Sequence, residues 1–227
     1  MGAKHIFRQL FIVFLITNAF LAKGQYKYLN DISGRPFLES NYADVEGSPY
    51  LTDAWVKGTV KFSNGKTHTD IYIKYDQVAD ELLFRDAENH TMRFVDRISE
   101  FKIIYLANDK AYEKLFRNGL INIDENNVNA FYEVLIDGRI SLLKRTRKKV
   151  NEIKAFDSTV AVKRIAEVHD YYLSRKGELF RLKKDRKSLL ALLNDQAEQI
   201  EKFINQNKLN IKEETQLISI ISYYNSL

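Results

Sequence analysis

The most constraining feature of this sequence is an alternation of apolar and polar side chains on either side of Asn64-Gly65. Alternation with period two is typical of a strand with one buried face, and Asn-Gly favours a type I′ turn because both residues tolerate φ > 0. Residues 55–75 therefore predict a β-hairpin in which Val60 lies opposite Thr69. The expected buried face holds Val56, Val60, Phe62, Ile71, Ile73 and Tyr75, and the expected solvent face holds Lys57, Thr59, Lys61, His68, Asp70, Tyr72 and Lys74.

Further segments have the aromatic and β-branched composition of strands. They are residues 81–85, 90–94 and 101–106. A tight hairpin is also predicted around Lys176-Gly177. Two longer segments, residues 107–128 and 150–170, fit neither a strand nor a helix period, so the sequence assigns no element to them.

A second hairpin is predicted at Asp137-Gly138, which is again a type I′ signal. A two-residue loop there would set Leu135 opposite Ile140. Apolar residues occur on both faces of these two strands. We therefore expect both faces to be covered, with the hairpin in the interior of the sheet.

The hydrophobic period becomes helical near the C-terminal end of the chain. Asp185 is expected to cap a first helix. Asp195 followed by Glu198 has the spacing of a capping box for a second helix. Asn210 followed by Glu213 repeats that spacing before a third helix.

These elements predict an α+β fold. Residues 25–184 form an antiparallel β-sheet built from hairpins, which is either curved or a partly closed barrel, and residues 185–227 form a small C-terminal helical cap. A segment of about 40 residues is near the lower limit for folding alone. We therefore expect the helical cap to pack on the sheet.

The first 24 residues have the layout of a secretory signal peptide. Lys4 and Arg8 precede an apolar run at residues 10–21, and Ala22-Lys23-Gly24 supplies small residues before a cleavage site at Gln25. The alternative is an uncleaved membrane anchor. Twelve helical residues span about 18 Å, however, and a bilayer core is about 30 Å thick. We expect cleavage, and export to the periplasm or the outside of the cell, at most peripheral to the outer membrane. No later apolar run is long enough to span a membrane.

Charge and cysteine content exclude several classes of function. Removal of Lys4, Arg8 and Lys23 with the signal peptide lowers the formal charge from +5 to +2, so the sequence does not favour a nucleic-acid partner. The chain has no cysteine, which excludes disulfides, zinc–thiolate sites, iron–sulfur clusters, a cysteine nucleophile and a lipoprotein anchor.

Several short motifs are distinctive: Gly-Ser-Pro-Tyr-Leu at 47–51, Trp-Val-Lys-Gly-Thr-Val at 55–60, Phe-Tyr-Glu-Val-Leu at 131–135, Tyr-Tyr-Leu at 171–173 and Tyr-Tyr-Asn-Ser-Leu at 223–227. Together they resemble a family of uncharacterised secreted proteins of the Bacteroidota. The resemblance covers most of the chain after the signal peptide. It implies an envelope or extracellular location, and it implies no activity and no site residues.

The sequence predicts no catalytic, cofactor or metal site. After the signal peptide it holds His68, His90 and His169, and it lacks H-E-x-x-H, P-loop and G-x-S-x-G motifs. His68 and Asp70 would share one face of the first hairpin, either as half of an acid–base pair or as part of a solvated polar face. A hydrolase of envelope or extracellular material stays an alternative, because the paired carboxylates of glycosidases leave no sequence signature.

Two basic runs are the sharpest candidate for a binding site, and we expect them to lie close together because each leaves the end of a hairpin. They comprise Lys144, Arg145, Arg147, Lys148 and Lys149 in the first run, and Arg181, Lys183, Lys184, Arg186 and Lys187 in the second. Such a patch suits anionic lipid head groups or glycans, whereas the alternative is an ordinary solvated surface. The sequence thus predicts an exported, non-enzymatic envelope protein that binds a protein partner or an anionic ligand.

Overall fold

The computed structural model describes residues 27–29, 32–37, 42–122, 130–154 and 161–227. The predicted signal peptide, residues 1–24, lies outside the described residues. The strands are β1 (Lys27–Leu29), β2 (Ile32–Pro36), β3 (Val45–Glu46), β4 (Val56–Phe62), β5 (Thr67–Asp76), β6 (Glu81–Arg85), β7 (Thr91–Phe94), β8 (Ile98–Ala107), β9 (Lys110–Arg117), β10 (Ile121–Asn122), β11 (Tyr132–Ile136), β12 (Ser141–Lys154), β13 (Ala161–Arg175) and β14 (Glu178–Leu182). The helices are α1 (Arg186–Leu192), α2 (Ala197–Gln206) and α3 (Glu214–Ser226).

All the strands belong to one curved, mainly antiparallel sheet. Its order is β1-β2-β7-β6-β5-β4-β8-β9-β11-β12-β13-β14-β10, and β3 pairs with β13. Although β5 and β12 are far apart in this order, the Lys148 amide donates to the Gln77 carbonyl at 3.1 Å. The sheet therefore curls back on itself, but the described strands do not close it. This confirms the predicted antiparallel sheet with a C-terminal helical end.

The first hairpin forms between β4 and β5, but its turn differs from the prediction. The Gly65 amide donates to the Phe62 carbonyl at 3.0 Å, and the Phe62 amide donates to the Lys66 carbonyl at 2.9 Å. Gly65 has φ +86°, whereas Asn64 does not have a positive φ. The loop is thus the three-residue kind that ends in a G1 bulge, and the predicted type I′ turn is wrong.

The longer loop shifts the register near the tip of the hairpin. Val60 pairs with His68, one residue away from the predicted partner, and a bulge near Asp70, which has φ +59°, restores the predicted register beyond it. His68 consequently packs edge-on against Phe62, with 5.7 Å between ring centroids. Asp70 lies 3.8 Å from the ammonium of Lys57 instead. The predicted shared face for His68 and Asp70 is therefore wrong.

The two faces of this hairpin otherwise follow the period-two pattern. The core-facing residues Val60, Phe62, Ile71, Ile73 and Tyr75 are buried as predicted, and Val56 is half-buried. Lys74 was expected in solvent but is buried, because its ammonium lies 4.0 Å from the centre of the Tyr50 ring. A cation over an aromatic face is stabilised by the ring quadrupole, which lets a lysine occupy this position.

The second hairpin, β11–β12, has both faces covered as predicted, but its loop is longer. Val134 pairs with Leu143, and Ile136 pairs with Leu142, so the predicted opposition of Leu135 and Ile140 is wrong. The four-residue loop from Asp137 places its glycine against the C-terminal helix. Leu142 belongs to the core beneath the helices, whereas Leu143 belongs to a second core on the other face.

A long ribbon formed by β12 and β13 covers the described part of residues 150–170, a segment to which the sequence assigned no element, and residues 155–160 lie outside the described residues. Strands β12 and β13 pair continuously from Ser141 with Ser174 to Lys154 with Ala161. Beyond the main sheet both faces of this ribbon are largely exposed. The tight hairpin at Lys176-Gly177 is confirmed, with φ of +53° and +85° at its two central residues.

The helical cap packs on β11, β12, β13 and β14. Asp185 caps α1 as predicted, because its carboxylate accepts the Ser188 amide at 2.8 Å. The predicted capping boxes are wrong: α2 and α3 have no side-chain cap, and Asp195 accepts the Tyr224 hydroxyl instead. Asn225 holds the end of α3 on the sheet, since its amide exchanges hydrogen bonds of 3.0 and 2.9 Å with the backbone of Ile140.

Within the described ranges, every helix is too short or too polar to cross a membrane.

Candidate functional site

A cleft of about 430 Å³ lies where β13 and β14 lead into the helical cap. Its lining residues come from two adjacent stretches of chain, and they are His169, Asp170, Tyr171, Arg181, Leu182, Lys183 and Lys184. The sheet register places these stretches side by side, because Tyr171 pairs with Leu182. Three of the residues in the predicted anion-binding patch therefore line one concave surface.

The two basic runs meet at one carboxylate. Arg181 from the second run donates to Asp170 Oδ1 at 2.6 Å, and Arg147 from the first run donates to Asp170 Oδ2. Asp170 is buried, with 8% of its surface exposed. The two runs are thus close together in the fold, and the residue that joins them lies in a segment that the sequence left unassigned.

The carboxyl group of Asp170 is held in its ionised form. Burial raises its pKa, but the hydrogen bonds from Arg181 and Arg147 outweigh burial and keep that pKa below its ordinary value. One negative charge therefore faces two guanidinium groups. Among the described residues that line the cleft, Arg181, Lys183 and Lys184 are cations and Asp170 is an anion, so the lining has an excess of positive charge.

Lys184 and Tyr171 form one wall of the cleft. The Lys184 ammonium lies 3.9 Å from the centre of the Tyr171 ring and donates to the Lys212 carbonyl at 2.8 Å. The Tyr171 hydroxyl donates to Glu214 at 2.6 Å, and Lys144 lies 2.8 Å from the same carboxylate. Burial and this hydrogen bond raise the Tyr171 pKa, so the phenol is neutral. Glu214 thereby offsets Lys144 and leaves Lys184 as the cation on this wall.

His169 closes the edge of the cleft. Its Nδ1 lies 3.0 Å from the Thr146 hydroxyl, and its Nε2 lies 3.0 Å from a carboxylate oxygen of Glu167. Burial and the charge of Lys144 lower the pKa of His169 below its ordinary value. The ring is therefore mostly neutral near pH 7 and adds little positive charge to the cleft.

Other members of the predicted patch have structural partners elsewhere. Arg145 is buried and lies 3.5 Å from Asp80. The Lys148 ammonium donates to the carbonyls of Ser48 and Tyr50 at 3.1 and 2.6 Å, and burial lowers its pKa. Both side chains therefore hold the curled sheet together and do not line the cleft.

The remaining members of the patch are exposed. Arg186 donates to the Asn205 side chain at 2.8 Å. Among the described residues, Lys149, Lys183 and Lys187 make no ion pair. Of these three, Lys183 lines the cleft. It is the cation whose charge is least offset by the protein itself.

A cluster of possible metal ligands occurs outside the cleft, in the turn between β6 and β7. Ligand atoms of Asp86, Glu88 and His90 lie within 4.8 Å of one another. The Asp86 carboxylate accepts the backbone amides of Glu88 and His90 at 3.1 and 2.8 Å. These contacts are those of a side chain that stabilises a turn, so they account for the cluster without a metal ion.

The chain matches no protein-family model, no curated protein and no solved structure.

Proposed function

We propose that this protein is a non-enzymatic envelope protein that binds an anionic ligand through the cleft where β13 and β14 lead into the helical cap. The observation that carries the proposal is the pairing of Asp170 with two guanidinium groups beside Lys183 and Lys184. Arginine and lysine side chains suit phosphate and carboxylate oxygens. The ligand class is therefore an anionic lipid head group, an acidic glycan or an acidic surface of an envelope protein. The hydrolase alternative stays a prediction.

The charge of the cleft predicts binding to an anionic membrane surface. Purified protein should bind vesicles that contain an anionic phospholipid more tightly than neutral vesicles, and binding should weaken as salt increases, because the Debye length is about 8 Å at physiological ionic strength. Exchange of Lys183 and Lys184 for glutamine should weaken binding by roughly tenfold or more, since each lysine near such a surface contributes about 1 kcal/mol. Vesicle co-sedimentation across a salt series measures both effects.

A matched control separates the cleft from general surface charge. Lys61 and Lys66 are exposed at the tip of the first hairpin. Their exchange for glutamine removes the same charge and should leave vesicle binding nearly unchanged. Equal losses in the two double variants, or equal binding of neutral and anionic vesicles by the unaltered protein, would show that the cleft has no such role.

We also propose that the protein is exported, which the layout of residues 1–24 supports. The expected N-terminus of the exported protein is Gln25. Intact-mass measurement of protein recovered from the envelope fraction checks this directly. Recovery of a membrane-bound species that keeps residues 1–24 would identify the segment as an anchor.

A further inference from the structure

A second cavity, of about 330 Å³, lies at the opposite end of the β13–β14 pair from the cleft. It opens beside the hairpin turn at Lys176-Gly177 and beneath the end of α1. Ile140 and Leu173 form its floor, and both are buried. Phe180 and Leu192 also line it. The position of this cavity makes it independent of the basic cleft.

The walls of the cavity are mainly apolar, and their arrangement follows from the register. Leu173 pairs with Phe180, so one strand contributes an aliphatic side chain and its neighbour an aromatic one to the same face. Small-molecule sites are commonly concave, mainly apolar and at least about 300 Å³ in volume, with a few polar groups at defined positions. The cavity has the size and lining of such a site.

Arg175 supplies the polar group. Its Nη2 donates to the Tyr224 hydroxyl at 3.1 Å and to the carbonyl of Leu192, at the end of α1, at 3.4 Å. The same nitrogen lies 3.6 Å from Asp195. Among the described residues these contacts all use Nη2, so they do not occupy the donors on Nε and Nη1.

The charge around Arg175 favours an anion. Asp195 is shared between Arg175 and Arg139, and it also accepts the Tyr224 hydroxyl at 2.9 Å. Lys176 and Glu178 also line the cavity, so two carboxylates lie beside three cations in this region. A ligand with one negative charge would balance the remaining positive charge. Its position would be fixed by the Arg175 guanidinium, which the Tyr224 hydroxyl and the Leu192 carbonyl hold in place.

We propose that this cavity binds an amphiphilic carboxylate, with the hydrocarbon chain between Leu173, Phe180 and Leu192 and the carboxylate on Arg175. A medium-chain fatty acid is the ligand class that combines these two requirements. A neutral chain would make no charge-assisted hydrogen bond with Arg175, and a short anion would leave the apolar walls exposed to water.

The chemistry of the ligand is tested with three probes and the purified protein. Isothermal titration calorimetry should show binding of decanoate, at least tenfold weaker binding of decanol, and no measurable binding of acetate. This order is expected because both the charge and the chain contribute to affinity. Equal binding of decanoate and decanol, or no binding of decanoate, would overturn the proposal.

The location of the site is tested by filling the cavity. Ala191 lines the cavity from an exposed position on α1, so Ala191→Trp should block it without removing a buried side chain. Gln199→Trp adds the same group to an exposed position on α2 and is the matched control. Decanoate affinity should fall at least tenfold in Ala191→Trp and stay unchanged in Gln199→Trp. Equal affinities in both variants would overturn the assignment.

Arg175→Gln tests the role of the charge. Decanoate affinity should fall about tenfold, since a charge-assisted hydrogen bond is lost, whereas decanol affinity should not change. A merely structural role for Arg175 would weaken the binding of both probes to the same extent. That result would overturn the proposed contact with the carboxylate.

Discussion

Gly58→Ala should lower the free energy of unfolding by about 3 kcal/mol, because an added methyl group at this position has no room. Gly58 is buried on β4, between β5 and β8. A Cβ there would lie 2.2 Å from Ile73 Cδ1 and 2.6 Å from the carbonyl oxygen of Lys102. The Ile73 side chain is itself fully buried. The Lys102 carbonyl belongs to the backbone of β8 and can move only if the β4–β8 ladder is distorted.

The adjacent residue provides the control. Thr59 is half-exposed and points to the opposite face of β4 from Gly58. Thr59→Ala should cost less than about 1 kcal/mol, which is the full span of strand propensities. Urea denaturation of the two variants and the unaltered protein measures the difference. Similar losses at both positions would contradict the close approach of β4 and β8 at Gly58.

The faces of β4 and β5 could be predicted from the sequence, but the local register could not. Period-two hydrophobicity identifies the buried side chains wherever one face of a strand packs on a core. An Asn-Gly pair, however, is compatible with more than one loop length. Here Gly65 alone takes the positive φ, and the Asn64 side chain accepts the Lys66 amide at 2.9 Å. The resulting one-residue shift in register ends at a bulge near Asp70. No pattern in the sequence indicated this bulge.

The β12–β13 ribbon could not be predicted because it has no single buried face. Val150, Ile153, Val162 and Val168 are all more than a third exposed. A strand that is exposed on both sides has no reason to alternate, so the period-two signal is missing where the ribbon extends beyond the core. The helices were easier to predict, because each buries one stripe of side chains against the sheet.

The cations of the basic cleft could be predicted, but their partners could not. Runs of lysine and arginine are visible in any sequence. Whether each charge is offset depends on carboxylates brought in by the fold, namely Asp80 for Arg145, Glu214 for Lys144 and Asp170 for Arg147. The sequence therefore correctly indicated that the two basic runs meet, but it could not show which of their charges are offset by carboxylates.

Asp170→Ala should be the second strongly destabilising change, with an expected loss of about 3 kcal/mol near pH 7. Asp170 accepts hydrogen bonds from Arg147 and Arg181, and it lies directly opposite Arg145 in the ladder. Removal of one partner from a buried ion pair typically costs about 3–5 kcal/mol, because the remaining charge is left uncompensated. The lower end applies here, since the Arg181 side chain is about half exposed to water.

The stability that Asp170 contributes should be lost as the pH falls. Burial raises the pKa of Asp170 in the folded protein, but the guanidinium groups of Arg181 and Arg147 lower it by more, so the pKa lies below its ordinary value. The contribution of Asp170 to stability is therefore fully present above the pKa of an aspartate in the unfolded chain, about 3.9, and it is lost as the pH falls through the lower pKa of the folded state. Asp170→Asn should consequently be less stable than the unaltered protein near pH 7, and the difference should begin to narrow as the pH falls below about 4.

Asp170→Asn should lower the stability of the protein but strengthen its binding to anionic vesicles. Among the described residues that line the basic cleft, Asp170 alone carries a carboxylate. Asp170→Asn removes it, so vesicles with an anionic phospholipid should be bound more tightly even though the protein is less stable. Chemical denaturation from pH 3 to pH 7 and vesicle co-sedimentation at pH 7 measure the two effects on one preparation. Asp96→Asn, at an exposed position, removes the same charge and serves as the control.

If Asp170→Asn and Asp96→Asn give the same pH profile, the two arginines do not depend on Asp170. If vesicle binding falls together with stability, Asp170 keeps the cleft in shape, and its charge does not oppose the ligand.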